Sequence, residues 1–141
     1  MKAVDETGKP ALRKIFRARR QQALTAAPTL QGRILDQARQ ELRRRHQQGL
    51  LNHSVGLYWP MPGEVDLTAL RLDLMDEFGL SAALPVADGQ GNLTYRHWTE
   101  APLARDGCGI PSPLDQTILS AGQLSLLLVP ALAVDRMGIR L

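Results

Sequence analysis

Four cations fall in line near the amino terminus. Lys9, Arg13 and Arg17 are spaced four apart and Arg20 follows three later, and on a helix those spacings make one stripe. Fixed cations along a line suit a polyphosphate, whose charge is spread over several oxygens. A solvated basic face has the same pattern, so spacing alone leaves both readings open. A second constellation lies in the stretch YWPMPGEVD, with Met61, Gly63, Glu64 and Asp66 close together. A carboxylate there can accept hydrogen bonds from the N–H groups of a ligand, and Met61 offers an adaptable apolar contact. Asp66 also serves as a helix N-cap, and Glu64 as a charge favourable to a helix dipole. Capping explains Asp66 better than it explains Glu64.

Other residues carry less. Tyr95 and Trp98 in LTYRHW, beside the loop GCGIPSP, could stack on a flat heterocycle, although an aromatic in an alternating strand is more often core. His97 has no second histidine or cysteine at metal-ligand spacing, and Cys108 has no base near it in sequence. At the carboxyl end, Asp135, Gly138 and Arg140 could meet phosphate or a metal ion. No Walker-type or dinucleotide-type glycine pattern occurs in the chain.

The elements that must position these residues follow from periodicity. Pro10 suits a first helical turn, and Leu12, Ile15, Phe16 and Ala23 recur at helical spacing, which predicts a helix over 11–26. A second helix is expected over 29–48, its apolar stripe Leu30, Ile34, Leu35, Ala38 and Leu42. Arg43, Arg44, Arg45 and His46 stand at its end, and Gly49 can cap it. LTALRLDLMDEFG predicts a third over 66–78, with Gly79 as its cap. SVGLYW, SAALPV and LSLLLVP read as buried strands of one sheet, and LTYRHW as a hairpin partner reached through DGQGN. The expected fold is α/β, a mostly parallel sheet flanked by helices in three layers.

Bulk properties bound the function. The 141 residues are expected to form a single domain, 1–141, with 44% hydrophobic and 22% charged residues. A net charge of +3 makes an anionic partner plausible. The single cysteine excludes an internal disulfide and fits a reducing compartment. The start MKAVDETGKP lacks the apolar core of a secretory signal, and no apolar run reaches membrane-spanning length. A soluble, cytoplasmic monomer is expected.

Together these segments resemble the 5-formyltetrahydrofolate cyclo-ligase family. Lys9 to Arg13 is similar to its K-x-x-L-R helix, and Gly63-Glu64-Val65-Asp66 to its G-E-[VIL]-D loop. Leu84-Pro85-Val86 and Leu93 to Trp98 resemble its second strand and following hairpin, and Gly109 to Pro113 its G-I-x-E-P turn. Val129 to Asp135 with Gly138 to Leu141 resembles its P-x-x-A-F-D-x-x-G-x-R-L signature. Departures are Leu67 for Thr, Cys108 for an aromatic, Ser112 for Glu and Val134 for Phe.

The resemblance implies an ATP-dependent ligase that converts 5-formyltetrahydrofolate to 5,10-methenyltetrahydrofolate through a phosphorylated formyl oxygen, with Mg²⁺ balancing phosphate charge. It carries Lys9, Arg13 and Arg140 over to the ATP phosphates, with Arg17 beside them, and Met61 and Glu64 to the folate. Asp135 carries over as a metal ligand. It also implies a glycine-rich phosphate loop directly after the terminal Arg-Leu. The expectation is therefore of a member lacking the C-terminal portion of the family, impaired in ATP-dependent turnover. A different class remains open as well: a non-catalytic basic helical module binding nucleic acid, with affinity that falls steeply with salt.

Overall fold

A computed structural model describes the backbone of residues 2–141 and the side chains from residue 8 onward. Three α-helices, α1 (Lys2–Ala26), α2 (Leu30–Gln47) and α3 (Leu70–Phe78), accompany six short strands. The strands are β1 (Val55–Gly56), β2 (Ala82–Ala87), β3 (Leu93–Trp98), β4 (Ala104–Arg105), β5 (Pro111–Ser112) and β6 (Leu126–Leu127). Four of them form a sheet in the order β3-β2-β1-β6. β1 runs parallel to both β2 and β6, and β3 is antiparallel to β2. The mostly parallel α/β sheet expected from the alternating runs is present.

Side-chain alternation sorts the sheet's two faces. Val55, Leu57, Ala82 and Leu84 point to one face and meet Leu42 of α2 and Leu70 and Leu74 of α3 in a single buried cluster. Full burial of each such leucine contributes on the order of 2–3 kcal/mol. Two ion pairs stitch the covering helices together, Arg39 to Asp73 at 2.8 Å and Arg43 to Glu77 at 2.6 Å. The opposite face presents Tyr95 and Leu127, and there Gly56 is required. A Cβ at that position would collide with Leu127 and crowd Leu124 and Tyr95.

Several boundaries differ from the periodicity. Helix α1 continues through Pro10, which is therefore not its first-turn residue; a proline deletes one backbone donor without forbidding helix on either side. Helix α3 begins at Leu70 rather than 66 because Asp66 turns the chain first. Its Oδ1 accepts the Thr68 N–H at 2.8 Å and hydroxyl at 2.6 Å, a local bond that competes with helical pairing. β1 and β6 are shorter than the apolar runs that predict them. Leu57 N–H still donates to the Ala83 carbonyl, and Leu128 N–H to that of Gly56, both at 2.8 Å. Beyond them each chain leaves the ladder and becomes loop.

The Pro/Gly-rich connection after β3 contains the β4–β5 hairpin, which hydrophobic periodicity does not reveal. Its organiser is Asp106, whose carboxylate accepts N–H bonds from Ala87, Cys108 and Ile110. Burial alone would push that carboxyl up; the three donors outweigh it and hold the group below its ordinary range.

Candidate functional site

β1 and β6 lie side by side and parallel, so the loops leaving their carboxyl ends lie side by side too. One chain then turns into α3 and the other continues as the 129–141 loop. This divergence at the carboxyl edge of a parallel sheet is where α/β folds form clefts for ligands.

The first loop is tied down from three directions. Met61 N–H donates to Glu64 Oε1 at 2.8 Å, and Glu64 N–H returns a bond to the Met61 carbonyl at 2.9 Å. Gly63 closes this turn at φ 83°, in the left-handed region. The Tyr58 hydroxyl donates to the Val65 carbonyl at 2.6 Å. Burial first, then the nearby Glu64 and Asp66 carboxylates, push the Tyr58 phenol up, so it stays a donor. From α2, Gln31 grips Asp66 at both backbone atoms, donating to its carbonyl and accepting its N–H.

The second loop folds into a small hairpin of its own. Asp135 Oδ1 accepts the Met137 N–H at 2.8 Å and the Ile139 N–H at 2.9 Å, and Gly138 sits at φ 81°. The Leu141 N–H donates to the Ala133 carbonyl at 3.0 Å. Arg140 spends one nitrogen, Nη1, on the Pro130 carbonyl at 3.0 Å.

Helix α1 walls both loops and divides the space into two joined clefts. One, of about 270 Å³, is lined by Arg17, Arg20, Met61, Glu64, Leu132 and Arg140, among others. The other, of about 440 Å³, is lined by Lys9, Arg13, Phe16, Val134, Asp135 and Arg140, among others. Arg140 and Leu141 belong to both. All seven residues singled out as ligand-binding candidates therefore converge, although they come from three separate stretches of chain. Arg17 and Arg20 stand with the Glu64 carboxylate and the Met61 thioether on one side of Arg140, and Lys9 and Arg13 with the Asp135 carboxylate on the other.

Asp135 is more constrained than its sequence context suggests. One carboxylate oxygen is occupied by its own loop, and the described residues contain no group of three His, Cys, Asp or Glu placed to hold a metal ion. A single carboxylate beside a cation-lined cleft is still compatible with Mg²⁺, which takes one or two carboxylates and completes its shell with phosphate oxygens and water.

The aromatic and thiol candidates lie elsewhere. Tyr95 is buried in the sheet, Trp98 packs edge-on to Trp59 under the Arg71 guanidinium, and Cys108 is exposed in the β4–β5 turn. None lines the two clefts. A larger cleft, about 530 Å³, sits at the amino ends of β1 and β2, where Ser54 Oγ lies 3.0 Å from His97 Nε2. His97 Nδ1 is 3.9 Å from Asp115 Oδ2, too far for the hydrogen bond that orients a catalytic imidazole.

A sequence model of the 5-formyltetrahydrofolate cyclo-ligase family matches residues 5–141. The chain belongs to this family. Among solved structures, it is similar to the NMR structure of Aquifex aeolicus 5,10-methenyltetrahydrofolate synthetase, with a TM-score of 0.73 and 24% identity. That match covers 94% of this chain and 65% of the other, so the fold is shared over 65% of that protein's length. No curated protein matches the sequence. Membership also bears on the basic-module reading. In α2 Arg39, Arg43, Arg44 and Arg45 are all paired with carboxylates, and the Arg44 hydrogen bond is the main cause holding Glu41 near a pKa of about 2. Those arginines are engaged with carboxylates within the cyclo-ligase fold. Among helices described, no segment is long and apolar enough to cross a membrane.

Sequence reasoning understated three residues of this site. Arg20 continues the stripe, and its spacing was the available signal. Gln31 holds the loop through bonds to backbone 35 residues away, and Tyr58 through one to Val65, and neither follows a helical or strand spacing.

Proposed function

We propose that this chain carries the folate-binding and polyphosphate-binding clefts of an ATP-dependent 5-formyltetrahydrofolate cyclo-ligase acting in the cytoplasm. The observation that carries the reading is the meeting of the basic stripe and the Gly63-Glu64-Val65-Asp66 loop on either side of Arg140. Glu64, with one oxygen turned to its own loop, has a second to accept N–H groups of a folate heterocycle, and Met61 packs beside it. Lys9 and Arg13, one helical turn apart, face a polyphosphate from α1, and Arg140 faces it from the loop. Arg17 lines the Met61–Glu64 cleft, where the formyl oxygen would receive the terminal phosphoryl group. In the proposed reaction that oxygen takes the phosphoryl group, N10 of the folate attacks the activated carbon, and phosphate leaves as the five-membered ring closes. Mg²⁺, when bound, neutralises phosphate charge, and Asp135 is the carboxylate that would hold it.

Calorimetric titration with 5-formyltetrahydrofolate tests the folate half. Glu64→Gln keeps an acceptor for the Met61 N–H and removes the charge, so its affinity should fall on the order of tenfold, as for the loss of a charge-assisted hydrogen bond. Equal affinities in the variant and the native chain would remove Glu64 from the pocket.

A further inference from the structure

Arg20 stands apart among the described cations. Its Nε is buried and donates to no protein acceptor. Two other arginines also have one buried nitrogen without a partner, Arg71 Nη1 and Arg96 Nε, but each has a visible role. Arg71 stacks over Trp98 at 5.3 Å, and Arg96 donates from Nη1 to the Asp115 carbonyl at 3.1 Å. Arg20 has no such partner among the described residues, and unlike Arg39, Arg43, Arg44 and Arg45 of α2 it pairs with no carboxylate there. Folding nonetheless holds its side chain beside the 61–64 turn. A Cβ on Gly63 would lie 3.8 Å from Arg20 Nη2 and 3.3 Å from Gln21 Oε1. A guanidinium partly removed from water without a partner is unfavourable, and such an arrangement persists when the site serves a ligand.

The position says which ligand. Arg20 lies eleven residues beyond Lys9, about 16 Å along the helix at 1.5 Å per residue. It lines the cleft of Met61 and Glu64 and is absent from the one lined by Lys9 and Arg13. Resting on the cyclo-ligase reading above, we propose that Arg20 is a substrate-binding residue of the folate-side cleft that grips an oxyanion. Two sources present that chemistry: the glutamate carboxylates of the folate, or the phosphoryl group delivered to the formyl oxygen. The division of the stripe follows, with Lys9 and Arg13 serving the nucleotide and Arg20 the other substrate's side.

The test titrates the native chain, Arg20→Gln and Arg20→Lys with 5-formyltetrahydrofolate, with 5-formyltetrahydropteroate (which lacks the glutamate) and with pyrophosphate, and records thermal midpoints. Arg20→Gln should bind the folate or pyrophosphate on the order of tenfold more weakly, Arg20→Lys should recover part of the loss, and neither midpoint should fall. A loss confined to the folate and absent with the pteroate assigns the glutamate; a loss confined to pyrophosphate assigns the phosphoryl group. Unchanged binding of both ligands in Arg20→Gln overturns the inference, as does a binding loss accompanied by a lowered midpoint, the mark of a structural role. If the native chain binds the folate and the variant binds it equally, Arg20 fails while the cyclo-ligase reading stands. If the native chain binds no folate, that reading fails, and pyrophosphate alone decides Arg20.

Discussion

Leu74→Ala should lower the free energy of unfolding by about 2–5 kcal/mol, the range for truncating a fully buried leucine whose surroundings cannot collapse. Leu74 is 0% exposed in the cluster that joins α2 and α3 to β1 and β2. Its carbonyl also accepts the Leu80 N–H at 3.0 Å, the bond that turns the chain out of α3 toward β2. Urea unfolding followed by circular dichroism measures the change as a shift of midpoint at constant slope. Leu72, on the same helix but 49% exposed, supplies the control, and its alanine variant should move by less than about 1 kcal/mol. Near-equal effects of the two substitutions would mean that α3 does not face the sheet with the side described.

Lys9→Ala and Arg13→Ala should each weaken ATP binding on the order of tenfold, and the double variant should retain little affinity, since hydrogen bonds to charged groups are worth about 1.5–3 kcal/mol apiece. Both residues line the cleft that Arg140 closes. Displacement of a fluorescent ATP analogue reads the loss, with 5-formyltetrahydrofolate titrated into the same proteins for comparison. Affinity for the folate should change by less than about threefold, because Met61 and Glu64 lie across Arg140 from the substituted residues. A solvated basic face predicts no loss in either titration beyond that of a surface charge. Equal losses for both ligands would point instead to a displaced α1.

The sheet was largely readable because burial leaves a local trace. SAALPV and LTYRHW became β2 and β3 nearly at their expected limits, joined by the Asp88–Asn92 turn that DGQGN foretells. Boundaries set by side-chain-to-backbone bonds were harder. Asp66 delays α3, and Asp106 builds a hairpin inside a stretch that reads as loop; an Asp followed by Gly-Cys-Gly was the signal there. The site divides in the same way. Its cations and the Glu64 loop are legible through spacing and turn chemistry, whereas their convergence depends on β1 pairing with β6, two strands about 70 residues apart in the chain. Asp135 shows the opposite difficulty, since its type suggests a ligand while its hydrogen bonds show a residue already shaping its own turn.

The central claim is that two substrates meet on either side of Arg140, and amide NMR of the labelled chain tests it most directly. Adding 5-formyltetrahydrofolate should shift amides of Met61, Gly63 and Glu64, of 131–132 and of 17–21, while ATP should shift those of Lys9, 11–13 and 133–139, and Arg140 should respond to both. Shifts gathered instead around Ser54, His97 and Gln123, at the other end of the sheet, would contradict the account, as would two ligands that perturb no residue in common.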